Sequence, residues 1–284
     1  MGFSKVEDTH FPKNNYLRVK DKLIDLSQPK IMGIVNVTPD SFYSNSRKTN
    51  ESELLSTVNQ MITDGADFID IGGYSTKPGA EIVSLEEELK RISEPISSIK
   101  KEFPTVLLTL DTFRGKVARR GIDLGVDIIN DISGFHYDAE LLDVISETTT
   151  PYILMHVNPE FDQMHVASIN ENIYRDMIYY FSNKLIQLKN RGIVDVIIDP
   201  GFGFGKTLEQ NYSILKNLEL FHILERPILV GLSRKSMIHK KLNLSVNDSL
   251  NGTTILNTQA ILKGASILRV HDVKEAKQII QLIS

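Results

Sequence analysis

Eight short runs rich in Ile, Val and Leu recur along the chain, each followed by a longer amphipathic stretch, and this alternation restricts the fold more than any other feature. The runs are Ile31–Val37, Asp67–Ile71, Thr105–Asp111, Asp127–Ile132, Tyr152–Val157, Val194–Asp199, Pro227–Leu232 and Ile267–Val270. Most are apolar at consecutive positions, as in strands covered on both faces. Helical periodicity fills the intervals at Glu51–Asp64, Ser84–Lys100, Arg114–Leu124, Asn170–Arg191, Thr207–Leu218 and Asp248–Lys263, and Val273–Ile283 closes the chain. Ser84-Leu-Glu-Glu87 and Thr207-Leu-Glu-Gln210 read as capping boxes. Asp64-Gly-Ala-Asp67, Leu124-Gly-Val-Asp127 and Lys263-Gly-Ala-Ser266 each put glycine past a helix and a polar residue before a strand. The pattern predicts one (β/α)8 TIM barrel over residues 31–284, with a doubly wound open sheet as the alternative. Residues 1–30 form a leader in which Asn15–Val19 and Lys22–Asp25 are expected to make a hairpin over the N-terminal face.

Composition narrows the chemistry. The 284 residues include no cysteine, which excludes disulfides, thiolate metal sites and a cysteine nucleophile. A formal net charge of -4 gives no global case for nucleic acid. No apolar stretch approaches the roughly 18 residues of a membrane span. The expectation is a soluble cytoplasmic protein acting on small molecules.

In a (β/α)8 barrel the chemistry sits at the carboxyl ends of the strands. Here those ends carry Asn36, Asp111, Asn130-Asp131, His156, Asp199, Ser233-Arg-Lys-Ser236 and Arg269-Val-His271. Asn36, Arg269, His271 and Lys235 are donors suited to a polyanion such as pyrophosphate. Asp111, Asn130 and Asp199 are acceptors suited to the N–H-rich edge of a heterocycle. Together they suggest a substrate with both parts.

Other motifs are weaker. Gly201-Phe-Gly-Phe-Gly-Lys-Thr207 fails as a P-loop because Pro200 stands where the first glycine belongs, so its glycines read as a tight strand-to-helix turn. The histidines show no close metal spacing, and His156 and His165 read as non-metal. No Gly-x-Ser-x-Gly elbow occurs, so Ser233 and Ser236 read as binding hydroxyls. Loops 38–48 and 72–80 read either as exposed connectors or as a cover that excludes water.

Several blocks together resemble the dihydropteroate synthases, a folate-pathway family of pterin-binding barrels. They are Met32-Gly-Ile-Val-Asn-Val-Thr-Pro-Asp-Ser-Phe42, Asp70-Ile-Gly-Gly73, Ser75-Thr-Lys-Pro-Gly-Ala80, Ile128-Ile-Asn-Asp-Ile-Ser-Gly134, Met155-His156, Asp199-Pro-Gly-Phe-Gly-Phe-Gly-Lys-Thr207, Ser233-Arg-Lys-Ser236 and Arg269-Val-His-Asp-Val273. The resemblance implies condensation of 6-hydroxymethyl-7,8-dihydropterin pyrophosphate with p-aminobenzoate through a cationic pterin. It implies that Asp111, Asn130, Met155, Asp199 and Lys235 take the pterin. Asn36, Arg269 and His271 would take the pyrophosphate, with Asn36 close to Mg2+ as metal ligand. Phe42, Thr76, Lys77, Pro78, Lys235 and Ser236 would form the p-aminobenzoate site. Asp111, Asn36, Lys235, Arg269 and His271 are thereby the expected catalytic set, and a homodimer is the expected assembly.

Two departures from the family pattern stand out. Loop two reads Tyr74-Ser-Thr-Lys77-Pro-Gly where the family usually has Glu-Ser-Thr-Arg-Pro-Gly, and lysine lacks the planar guanidinium fork. Loop one reads Tyr43-Ser-Asn-Ser46 in place of Ser-Asp-Gly-Gly. Both bear on affinity for p-aminobenzoate and on response to the sulfonamides that mimic it. The rivals are a methyltetrahydrofolate:corrinoid methyltransferase, which has no need of the Arg269/His271 clamp, a phosphosugar or aldolase-type barrel, and a catalytically dead pterin-binding protein.

Overall fold

The computed structural model describes residues 15–37, 47–74, 83–157, 160, 163–167 and 172–283, with 47–50 as backbone alone. Two short strands, β1 (Tyr16–Val19) and β2 (Lys22–Asp25), pair as an antiparallel hairpin. The barrel follows as β3 (Lys30–Asn36), α1 (Arg47–Thr63), β4 (Phe68–Gly72), α2 (Leu85–Glu102), β5 (Leu107–Asp111), α3 (Gly115–Asp123), β6 (Ile128–Asp131), α4 (Glu140–Thr148) and β7 (Tyr152–Met155). It continues with α5 (Ile173–Asn190), β8 (Val196–Asp199), α6 (Leu208–Lys216), β9 (Leu229–Val230), α7 (Ser236–Leu242), α8 (Leu250–Leu262), β10 (Ile267–Val270) and α9 (Val273–Ile283). The eight barrel strands lie in the order β8-β7-β6-β5-β4-β3-β10-β9, and a parallel bridge from Ile198 to Ile228 closes the ring. This is the expected (β/α)8 barrel.

Strand alternation sorts side chains into an outer and an inner set. Ile31, Ile69, Leu108, Ile129, Leu154, Ile198, Val230 and Leu268 face outward and join the core shared with the helices. The residues alternating with these face the barrel axis. Met32, Phe68, Ile128, Ile153, Ile197, Leu229 and Ile267 pack into a separate cluster with Leu17, Val19 and Leu26 of the leader, so the hairpin plugs the N-terminal mouth. Two residues further along the same inner face the character changes. Asp70, Thr109, Asn130, Met155, Asp199, Gly231 and Arg269 form the next layer, with Asn36, Gly72, Asp111 and His271 above it. An apolar floor therefore carries a polar layer.

Polar contacts hold the floor in register. Asp67 Oδ2 accepts from the Ile31 N–H at 2.9 Å and Asp127 Oδ2 from the Leu108 N–H at 2.9 Å, each fixing the start of an adjacent strand. Asp127 also takes Lys20 of the hairpin at 2.5 Å and Lys100 of α2 at 2.6 Å. The glycines in these turns, Gly65 and Gly125, have φ of 102° and 105°, which supplies the backbone freedom the spacing implied.

Strand ends shift by a few residues from the sequence expectation, and β9 shrinks to two residues. Helices α4 and α7 were not named from periodicity: they are short, and neither N-cap side chain makes a cap hydrogen bond. Thr207 and Gln210 complete the expected capping box. Ser84 makes half of one, accepting from Glu87 N–H, while the Glu87 carboxylate bonds Arg91 Nε at 2.9 Å.

Candidate active site

The polar layer is organised around Arg269 of β10. Its Nε donates to Asp70 Oδ2 at 2.6 Å, and its Nη2 donates to Asp111 Oδ2 at 2.7 Å. Asn130 of β6 donates its amide to the same Asp70 oxygen at 3.3 Å. Asp70, Asp111, Asn130 and Arg269 thus form one connected group across four strands. Inward-facing glycines make the room: a Cβ on Gly72 would stand 3.2 Å from the Asp111 Cβ, and one on Gly231 would stand 4.0 Å from the Arg269 Cβ.

Burial sets the charges. It pushes the Asp111 carboxyl up to about 7, with Arg269 pulling it down and the carboxylates of Asp70, Glu88 and Asp131 pushing it further up. Asp70 is raised by its own burial against the same guanidinium. The Arg269 guanidinium resists burial through its two carboxylate partners and stays firmly charged.

On the opposite wall, Asp199 ends β8, and its Oδ1 accepts from Gly201 N–H at 2.7 Å. Burial raises Asp199, while the nearby charge of Lys235 lowers it. Lys235 donates to the Phe202 carbonyl and lies 4.9 Å from the centre of the Phe204 ring. Burial pulls its amine down to about 8 against the attraction of Asp199. Behind this wall the Lys206 amine is enclosed by the carbonyls of Gly201 at 2.9 Å, Phe204 at 3.0 Å and His156 at 3.3 Å. Gly201 has φ of 68°, and a Cβ there would collide with the His156 carbonyl, so the turn is glycine for two reasons.

The last two strand ends are tied together. Ser233 Oγ lies 3.0 Å from His271 Nδ1 and accepts from the His271 N–H at 3.2 Å. The Ser233 hydroxyl thus anchors the Nδ1 edge of the His271 ring, which stands exposed at the end of β10. Arg234, at φ 53°, grips Asp272 with two bonds of 3.0 and 2.8 Å. That fork locks the segment carrying Lys235 and Ser236 to the one carrying Arg269 and His271.

Of the expected residues, Asp111, Asn130, Asp199, Lys235 and Arg269 come together, and Met155 lies buried beside them in a cluster with Phe113, Ile132, Val157 and Met164. Asn36 and His271 are exposed at the ends of β3 and β10, and Ser236 is exposed in the first turn of α7. Phe42, Thr76, Lys77 and Pro78 lie outside the described residues, as does most of each loop expected to cover the mouth. Tyr74, the neighbour of that second loop, packs edge-on against Phe113, which packs edge-on against Tyr137.

Three expectations need correction. His156 does not join the rim: Met155 takes the inward phase, and the His156 ring turns outward onto Tyr180 at 4.9 Å. Asp131 likewise faces outward and holds the following turn through Ser133 and Phe135 N–H. Ser233 orients His271 and is not an open binding hydroxyl. Sequence reasoning gave no role to Asp70, Lys206 or Phe204. Asp70 was visible in principle, because it shares the inward phase of Phe68.

Sequence and structure comparisons agree with this geometry. A family model described as pterin binding enzyme matches residues 32–271. The dihydropteroate synthase of Escherichia coli K12 is 39% identical over 262 residues, covering 92% of each chain. The crystal structure of the Yersinia pestis dihydropteroate synthase with a sulfonamide drug superposes with a TM-score of 0.87 at 36% identity, over 94% of this chain and 97% of that one. The Xanthomonas albilineans dihydropteroate synthase with 4-aminobenzoic acid gives a TM-score of 0.86 at 31% identity, over 94% and 96%.

The chain belongs to the dihydropteroate synthases. Within that family its activity is a transferase reaction of folate biosynthesis, which excludes the methyltransferase and aldolase alternatives. Among the described residues no helix is long and apolar enough to cross a membrane.

Proposed function

We propose that the polar layer condenses 6-hydroxymethyl-7,8-dihydropterin pyrophosphate with p-aminobenzoate in the following way. One observation supports the reading above the rest: the buried acceptors Asn130 and Asp199 and the half-buried Asp111 stand together with the half-buried cations Arg269 and Lys235. The acceptors suit the N–H edge of the pterin, and Met155 supplies an apolar contact for its ring. Arg269, the exposed His271 imidazole and Asn36 suit the pyrophosphate.

Carbon–oxygen cleavage sends the bonding pair to the pyrophosphate oxygen and leaves a cationic pterin methylene. Asp111 stabilises that cation, and Arg269 and His271 stabilise the departing charge. The aryl nitrogen then donates its lone pair to form the C–N bond and releases one proton. Lys235, Ser236 and the Phe204 ring offer a cationic, hydroxyl and aromatic wall for p-aminobenzoate, with Phe42, Thr76, Lys77 and Pro78 completing it from the loops.

The described residues hold no group of three or more metal-ligating His, Asp or Glu side chains. That donor set fits Mg2+ arriving with the pyrophosphate, because Mg2+ keeps several waters and substrate oxygens and needs few protein ligands. Asn36 would hold it. When bound, it supplies charge neutralisation on the leaving group.

A homodimer is part of the same reading. Ile255 and Leu262 of α8 are 57% and 68% exposed, and Leu220 and Ile223 beside α6 are 51% and 57% exposed. The Lys263–Glu219 pair at 2.7 Å holds these two segments side by side, giving an apolar face for a second copy. Light scattering reads the mass directly, and a monomer at micromolar concentration defeats that part.

The test of the activity mixes both substrates with Mg2+ and follows dihydropteroate and pyrophosphate together. Equimolar release of both is expected, with inhibition by a sulfonamide that p-aminobenzoate relieves. A folded protein that yields neither product would overturn the reading.

A further inference from the structure

We propose that Asp70 is the positioning residue of this site, the group that fixes the Arg269 guanidinium and the Asn130 amide for the pterin substrate. Asp70 lies one layer below Asp111, fully buried in the middle of β4, between Ile69 and Ile71. None of the expected substrate contacts falls on it. A lone carboxylate in that place is costly unless paired, and the structure shows what it pairs with.

Its Oδ2 receives both Arg269 Nε at 2.6 Å and Asn130 Nδ2 at 3.3 Å. The first bond fixes the rotation of the guanidinium. With Nε and Nη2 spent on Asp70 and Asp111, the Nη1 hydrogens are engaged by neither carboxylate and remain for an anionic ligand. The second bond fixes the flip of Asn130: its nitrogen goes to Asp70, so its Oδ1 is the atom presented on the other side of the amide. An Asn130 turned the other way would offer a donor where the pterin edge also offers donors. Among the described residues, the other oxygen of Asp70, Oδ1, is buried without a hydrogen-bond partner, as is Oγ1 of Thr109 on the neighbouring strand. The carboxylate is thus held by its ligand-orienting bonds alone.

Asp70 also adjusts its neighbour. The charged groups around Asp111 are Arg269 on β10, Asp70 on β4, Asp131 on β6 and Glu88 on α2, the last paired with Arg114 at 2.5 Å. Of the carboxylates, Asp70 raises Asp111 most. Removing its charge leaves Arg269 to Asp111 alone and lowers the Asp111 titration.

Asp70→Asn, Arg269→Gln and the double variant test the assignment. Asp70→Asn is expected to lower kcat/KM for the pterin pyrophosphate at least tenfold, with KM for p-aminobenzoate within twofold of wild type. The acid limb of that kcat/KM profile is expected to move to lower pH by half a unit or more. The losses in pterin pyrophosphate affinity from Asp70→Asn and Arg269→Gln are expected to be non-additive by at least fivefold. An unmoved acid limb with additive losses overturns the proposal, because a purely structural Asp70 would lower the melting temperature and nothing else. If Asp70→Asn does not fold, Asp70→Ser, which leaves space for a water, takes its place. Failure of both to fold assigns Asp70 to stability alone and also overturns the proposal.

Discussion

Replacing Asp111 by Asn isolates the electrostatic part of catalysis. The amide keeps the size of the carboxylate and still accepts a hydrogen bond, so affinity for the pterin pyrophosphate is expected to stay within about threefold, the scale of a small hydrogen-bond adjustment. The charge is lost. A unit charge about 5 Å from the cationic methylene, at an effective dielectric near 20, contributes about 3 kcal/mol, or roughly two decades in rate. Because the Asp111 carboxyl titrates at about 7, it is mostly charged at pH 8 and mostly neutral at pH 6. Single-turnover rates at pH 8 are therefore expected to fall about 10²-fold. The ratio of wild type to variant should shrink by nearly tenfold per unit as pH falls below 7, since the wild type then loses the same charge. Rapid-quench measurement of pyrophosphate release across pH 5.5–8.5, with parallel titration of substrate affinity, reads both quantities. A ratio that does not change with pH, or a loss of affinity as large as the loss of rate, would refute the electrostatic role.

Three further predictions come from the same layer. The folded Asp111 pKa lies above its unfolded value near 3.8, so folding takes up a proton between that value and about 7, and the carboxyl makes the fold less stable as pH rises through this window. Asp111→Asn should then raise the melting temperature at pH 8 and leave it unchanged at pH 4, and a variant less stable than wild type at pH 8 counts against the charge argument. Lys206→Met strips the donor from three buried carbonyls and is expected to cost about 2–4 kcal/mol in urea unfolding, while a Lys206→Ala cost far above that of Lys206→Met would point to packing instead. Gly201→Ala combines left-handed backbone with a collision at the His156 carbonyl, and should cost about 2–4 kcal/mol and weaken pterin binding through Asp199, as calorimetry and ligand titration can check.

Much of this architecture was legible because strands report two things at once. Consecutive apolar residues announced burial on both faces, and the polar residues at their ends announced the rim. What periodicity could not supply was the pairing of charges. Arg269 meets Asp70 and Asp111 across 199 and 158 residues, and no local pattern encodes a contact that ring closure creates. The sequence marks Arg269 as a donor for an anion, and the structure adds that it is also the counterion of two carboxylates. His156 and Asp131 were misread for a simpler reason. Each follows an inward residue by one, and a one-residue step in a strand turns a side chain to the other face. Lys206 was hidden by its motif, since glycine spacing explained the turn without revealing that an amine sits inside it.

The pairing of β3 with β10 has a consequence for synthesis. Strand β3 leaves the ribosome well before β10, so this edge of β3 stays unpaired until β10 emerges. Asp70 and Asp111 share that wait, for their cation is carried on the same strand. Until Arg269 docks, these two carboxylates lack the cation that pairs with them, and their cheapest state is protonated or hydrated. A chain truncated before β10 would lack both an edge partner and a neutral interior, and would be a target for chaperones or proteases. Docking of β10 and assembly of the catalytic layer are thus a single event.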